Sequence, residues 1–181
     1  MRELTCDPSV EVIGIAVKSI AENAASNEFR PLLDKHGLTD IKPDVWYPAQ
    51  QWLSVMNDLA KEMNTTSMYV AIGMKIAENV MLPPEAENAT LAQMLEMWNE
   101  VYLMQHKGDD IGGFQAEKID EKSYRMIITT LYPDDLEYGV LYGMVRRLLP
   151  KKTPFTVSYE DINNRRDLGD NDHTVLLINW G

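Results

Sequence analysis

Chemistry has few starting points in this chain of 181 residues, which holds three histidines and one cysteine. His106 ends an apolar run in which Trp98 and Tyr102 precede it at four-residue steps, so the three share one face of a helix. The tract His106-Lys107-Gly108-Asp109-Asp110 reads as an exposed turn, where the helix dipole favours a partly solvated imidazole. His36 stands before Gly37, a natural left-handed helix end. His173 neighbours Asp170 and Asp172. An acidic turn can hold a divalent cation, but the twelve-residue calcium-loop spacing is missing, and the segment reads as solvated loop.

Other constellations are weaker. A single cysteine, Cys6, excludes an internal disulfide and a cysteine-based zinc site. The glycines are too scattered for a phosphate loop, and nothing marks a Ser/His/Asp triad. The pairs Asp109-Asp110 and Asp134-Asp135 sit in turns, the second placed to cap a helix. No catalytic residue is nominated, and the expectation is a protein without enzymatic activity. A net charge of −11, spread along the chain, argues against nucleic acid and anionic membranes. No apolar run approaches the ~20 residues of a membrane span, and no signal-peptide core is present, so a cytoplasmic location is expected.

These residues need elements to position them. Val10, Ile13, Val17 and Ile20 recur at helical spacing after Asp7-Pro8, and a short second helix is expected over Phe29 to Lys35. A third begins at Tyr47-Pro48 with Trp52, Met56, Leu59 and Met63 on its stripe, and Asn64-Thr65-Thr66 caps a fourth with Met68, Ile72, Ile76 and Val80. Thr90 and Gln93 form a capping box for a fifth, which carries Leu91, Met94, Leu95, Trp98 and Tyr102. After His106 the pattern changes to strands over 114–119 and 124–131, a helix over 134–149, and strands over 155–159 and 174–180. The expectation is one α+β domain over 1–181, with an N-terminal helical layer of about five helices (1–106). A β-β-α-β-β antiparallel four-stranded sheet (107–181) follows.

Gly139 and Gly143 lie four apart inside the predicted helix, where each costs roughly 1 kcal/mol against alanine. Close helix–sheet packing is the plainer compensation, and room for a ligand between helix and sheet is the sharper one. The chain has 11 methionines, which adapt to varied apolar shapes. Tyr138 and Tyr142, one turn apart, either point hydroxyls into a cavity or lie at a dimer interface.

Tyr138-Gly139-Val140-Leu141-Tyr142-Gly143, the strand Phe155 to Glu160, the Gly169-Asp170 turn and the closing Leu176-Leu177-Ile178-Asn179-Trp180 resemble, in that order, the 4-vinyl-reductase-like domain. Its superfamily also contains the haem-nitric-oxide-binding domains and the Bet3-type subunits of a Golgi tethering complex. The resemblance covers mainly residues 110–181. It implies an α+β ligand-binding module with a cavity between helices and sheet. The cysteines of the 4-vinyl-reductase-like pattern are absent from Tyr132-Pro133-Asp134-Asp135 and from the Gly169-Asp170 turn, so thiolate-bound metal is not expected.

The reading that follows is a small-molecule-binding or sensory domain with an apolar cavity. Its candidate ligand-binding residues are Trp98, Tyr102, His106, Met126, Ile128, Tyr138 and Tyr142, its ligand small and hydrophobic. Two alternatives stand beside it. One is a homodimeric scaffold of Bet3 type without ligand. The other is a haem-based gas sensor, since the haem branch uses a helix-borne histidine as iron ligand and His106 occupies such a place.

Overall fold

A computed structural model describes residues 2–23, 29–61, 65–80, 82–86, 88–169 and 171–181. The expected positions Met63, Asn64 and Asp170, and the side chain of Ile20, lie outside what is described. The order is β1 (Glu11–Ile13), α1 (Gly14–Asn23), α2 (Phe29–Lys35), β2 (Trp46–Pro48), α3 (Ala49–Leu59), α4 (Thr65–Asn79) and α5 (Leu91–Leu103). Then come β3 (His106–Lys107), β4 (Phe114–Asp120), β5 (Ser123–Ile128), α6 (Asp134–Leu148), β6 (Phe155–Tyr159) and β7 (Thr174–Trp180). The fold is α+β, with five α-helices among the described residues ahead of a four-stranded antiparallel sheet of order β4-β5-β7-β6.

Local chemistry sets most of these boundaries. The Thr90 hydroxyl accepts the Gln93 amide and the Gln93 side chain accepts the Thr90 amide, which completes the capping box of α5. In the β4–β5 turn the Asp120 carboxylate accepts the Lys122 amide. Helix α6 carries acids in its first turn and Arg146 and Arg147 in its last, both favoured by the helix dipole.

One strand set was not anticipated. Residues 10–13 do not enter a helix. The Asp7 carboxylate accepts the Ser9 amide in a tight turn, and Glu11–Ile13 pair antiparallel with both β2 and β3 in a small sheet of order β2-β1-β3. Helix α1 starts only at Gly14.

The larger sheet buries one face. Tyr124, Met126 and Ile128 of β5 are fully buried, while Arg125 and Ile127 between them are partly exposed. The run Met126-Ile127-Ile128 is thus covered on one side only. The glycines of α6 also differ from expectation: they meet a helix, not the sheet. A Cβ on Gly139 would run into the Val70 carbonyl of α4, and one on Gly73 of α4 into the Leu136 carbonyl. A Cβ on Gly143 would stand 2.8 Å from the Cβ of Ala77. Three side-chain-free positions let α4 and α6 approach backbone to backbone. Among the described residues no helix is long and apolar enough to cross a membrane.

Candidate functional site

The site is built on the end of α5. Its buried face carries Trp98, Val101 and Tyr102, and the chain then turns into β3 at His106. Pairing of His106 with Val12, and the hydrogen bond from the Ile13 amide to the Gln105 carbonyl, fix the His106 backbone on the small sheet. The imidazole is 8% exposed, not solvated. Its ring stacks on Tyr102 at 4.1 Å between centroids and 24° between planes.

Both ring nitrogens are engaged. Nδ1 lies 2.8 Å from the Tyr102 carbonyl and Nε2 lies 2.6 Å from the Tyr132 hydroxyl. A carbonyl only accepts, so Nδ1 carries the proton, and Nε2 presents its lone pair to the Tyr132 O–H. Burial outweighs the carbonyl bond and brings the imidazole pKa down to about 4, so the ring is neutral at pH 7. Burial pushes the Tyr102 and Tyr132 hydroxyls well above the ordinary tyrosine range.

These rings form one wall of a cavity of about 60 Å3, partly open to solvent. Trp98, Tyr102, His106, Phe114 and Tyr132 give its aromatic side, and edge-to-face contacts join Tyr102 to Phe114 and to Tyr132. Val12, Ala16 and Val17, Trp52, Ile76 and Val80, and Leu136, Glu137 and Val140 close it from β1, α1, the region of α3 and α4, and α6. The cavity thus lies where α1, α5 and α6 meet β1 and the start of β4 at Phe114. It holds roughly four waters' worth of space.

Trp98, Tyr102 and His106 come together on this wall. Met126 and Ile128 do not: they are closed into the sheet core, because they sit on the buried face of β5. Tyr138 and Tyr142 are also elsewhere. They stack on each other at 6.2 Å, Tyr138 on Tyr159 and Tyr142 against Phe155, and the Tyr138 hydroxyl donates to the Val157 carbonyl at 3.1 Å. His36 bonds Asp58 at 2.8 Å on the surface of α3, and His173 is exposed.

Tyr132 and Glu137 are the site residues that sequence reasoning missed. Glu137 stands three before Val140 on the flank of the α6 stripe, and an acid there was the available signal. Its carboxylate accepts the Thr130 hydroxyl at 2.6 Å. Burial raises its pKa to about 7, against the lowering pull of that hydroxyl and of Arg166.

Behind Tyr132 lies a buried ion cluster. Asp134 and Asp135 neither cap α6 nor face water, because arginines about thirty residues away claim them. Arg165 meets Asp135 at 2.8 Å, and Arg166 meets Asp134 at 3.2 Å. Arg166 also donates to the carbonyls of Thr130 and Tyr132. Arg165 stacks over the Tyr159 ring, whose hydroxyl donates to Asp135 at 2.7 Å. The Asp134 and Asp167 carboxylates each accept the other's main-chain amide, at 3.0 and 2.7 Å. Burial and the Asp134 charge lift Asp167 to about 6.

No family model and no curated protein matches the chain. Solved structures do. An H-NOX protein from S. oneidensis in the Fe(II)NO ligation state superposes with a TM-score of 0.69 at 14% identity, over 93% of this chain and 99% of that one. An oxygen-binding H-NOX domain related to soluble guanylate cyclases, as its oxygen complex, gives 0.67 at 15% identity, over 92% of each chain.

That likeness raises haem as a test of these residues. The axial half fits: a buried neutral imidazole with Nδ1–H held by a carbonyl is the arrangement that orients metal-ligating histidines. The remainder does not. Haem brings two carboxylates, and Glu137, an acid, is the one charged lining residue among those described. Arg165 and Arg166 are committed to Asp134 and Asp135, and the cavity is far below the ~300 Å3 at which ligand pockets ordinarily begin. As its charges and volume stand, the pocket does not fit haem. What the comparisons do establish is architecture: over nearly its whole length this chain has the fold of the H-NOX domains.

Proposed function

We propose that this chain is a non-enzymatic sensory domain whose small-molecule site is the aromatic pocket ending on His106. One observation carries the reading. A buried imidazole, its Nε2 held only by the hydroxyl of Tyr132, stands on the wall of a largely apolar cavity. A ligand with a donor group can take that place. Tyr132 then gives up its partner, and its carbonyl is the group that Arg166 holds. Occupancy is thereby coupled to the ion cluster and to the loop that carries Arg165 and Arg166. The structural neighbours, one ligated by NO and one by oxygen, support a sensory role for the fold.

The test of the pocket is xenon, which enters apolar cavities without needing polar partners. Crystals pressurised with xenon should show a bound atom between Trp98, Tyr102, Phe114 and Val140. An empty pocket under pressure would end the reading.

The same Nε2 lone pair is the one feature that would serve haem, and the charge and volume of the pocket oppose it. Reconstitution with haemin should therefore give no Soret band, and a band that His106→Ala abolishes would overturn the small-pocket reading.

A further inference from the structure

The charge of the pocket wall carries the reading above one step further and rests on it. Four acids, Asp134, Asp135, Glu137 and Asp167, are buried together with two arginines. Arg166 is spent on Asp134 and Arg165 on Asp135. Asp167 accepts the Asp134 amide. Glu137 is left with the Thr130 hydroxyl on one oxygen, and it is the member that lines the cavity. A buried carboxylate without a cation in contact calls for a proton or a positive ligand.

A second observation points into the same space. Trp98 lines the cavity, is 4% exposed, and its indole N–H has no hydrogen-bond partner. Buried donors are ordinarily paired, so an orphan on a cavity wall marks open space where a water belongs beside the ligand. The rest of the wall is aromatic and aliphatic, and an aromatic ring offers a cation its face.

We propose that the pocket takes a small organic amine, its ammonium group against Glu137 and its apolar body between the rings of Tyr102 and Trp98. Carboxylate-bearing ligands, porphyrin dicarboxylates among them, are excluded by the same acid. The cavity of about 60 Å3 limits the buried part of the ligand to a few heavy atoms.

Propylamine, propanol and propionate separate charge from size. Titrating each into isotope-labelled protein at neutral pH, and following the backbone amides of Val101, Tyr102 and Val140, gives three affinities. Propylamine should bind at least tenfold more tightly than propanol, and propionate should not saturate. Glu137→Gln should reduce propylamine to the level of propanol while propanol is unchanged. Equal binding of amine and propionate, or an amine preference that survives Glu137→Gln, would overturn the proposal. So would a haemin Soret band that depends on His106. If none of the three probes moves these amides while xenon still enters, the amine class is wrong and the pocket stands. If xenon fails too, both readings fall.

Discussion

The Tyr132 hydroxyl donates to His106 Nε2 at 2.6 Å, and it does so across 26 residues of chain. This contact joins the small sheet that carries His106 to the segment leading into α6. It also fixes which nitrogen of the ring is protonated, because the Tyr102 carbonyl takes the other.

Tyr132→Phe removes the donor and leaves a buried ring nitrogen unpaired. Stability should fall by about 1–3 kcal/mol. Urea unfolding at pH 7 measures this, and an unchanged midpoint would mean that the contact is not formed in solution.

His106 should titrate near 4 in the folded protein against an ordinary 6.5. Its neutral form is favoured by folding, so its contribution is complete above pH 6.5 and is lost as pH falls through 4, a difference on the order of 3 kcal/mol. Proton NMR of the ring should show no protonation at pH 6. The acid-side loss should be smaller in His106→Gln.

Glu137 acts in the opposite sense. Its folded pKa of about 7 lies above the ordinary 4.5, so stability is lost as pH rises from 4.5 through 7. Glu137→Gln should therefore gain relative to the unaltered protein as pH rises. At pH 8 that gain should be on the order of 3 kcal/mol larger than at pH 4.5. A gain independent of pH would place the carboxylate in contact with water.

Gly139→Ala puts a methyl group into the Val70 carbonyl of α4. Helix propensity alone favours alanine by roughly 1 kcal/mol, yet backbone cannot yield as a side chain can. The expected result is a net loss of about 1–3 kcal/mol in denaturant unfolding. Any gain would refute the close approach of α4 and α6.

Asp134→Ala leaves Arg166 buried without its carboxylate and removes the acceptor for the Asp167 amide. A loss of about 3–5 kcal/mol is expected, read as a lowered thermal midpoint. Asp109→Ala, in an exposed turn, should change it little and serves as the control.

What the sequence makes legible is what neighbouring residues decide. The capping box at Thr90 and Gln93 and the β4–β5 hairpin are local, and so is the charge pattern of α6. Strands β1 and β3 are three and two residues long, and no alternation can announce so short a pairing. Gly139 and Gly143 declare that something comes close, but spacing does not say whether it is a sheet or a helix. The same limit hid the ion cluster: Asp135 finds Arg165 thirty residues on, and a pair of acids before a helix reads as a cap. At the site, Trp98 and Tyr102 follow from one helical face. Tyr132 and Glu137 reach it only through tertiary packing, while Met126 and Ile128 were drawn in by hydrophobicity that the sheet core uses instead.

The crossed amide–carboxylate exchange between Asp134 and Asp167 also constrains how this molecule can change over time. Each side chain completes the other's backbone, so trading one aspartate for an aliphatic residue strands an N–H on the opposite strand of chain. Drift at the two positions is therefore yoked: variants that survive should alter both or neither, and paired replacement is the signature to seek in descendants of this sequence.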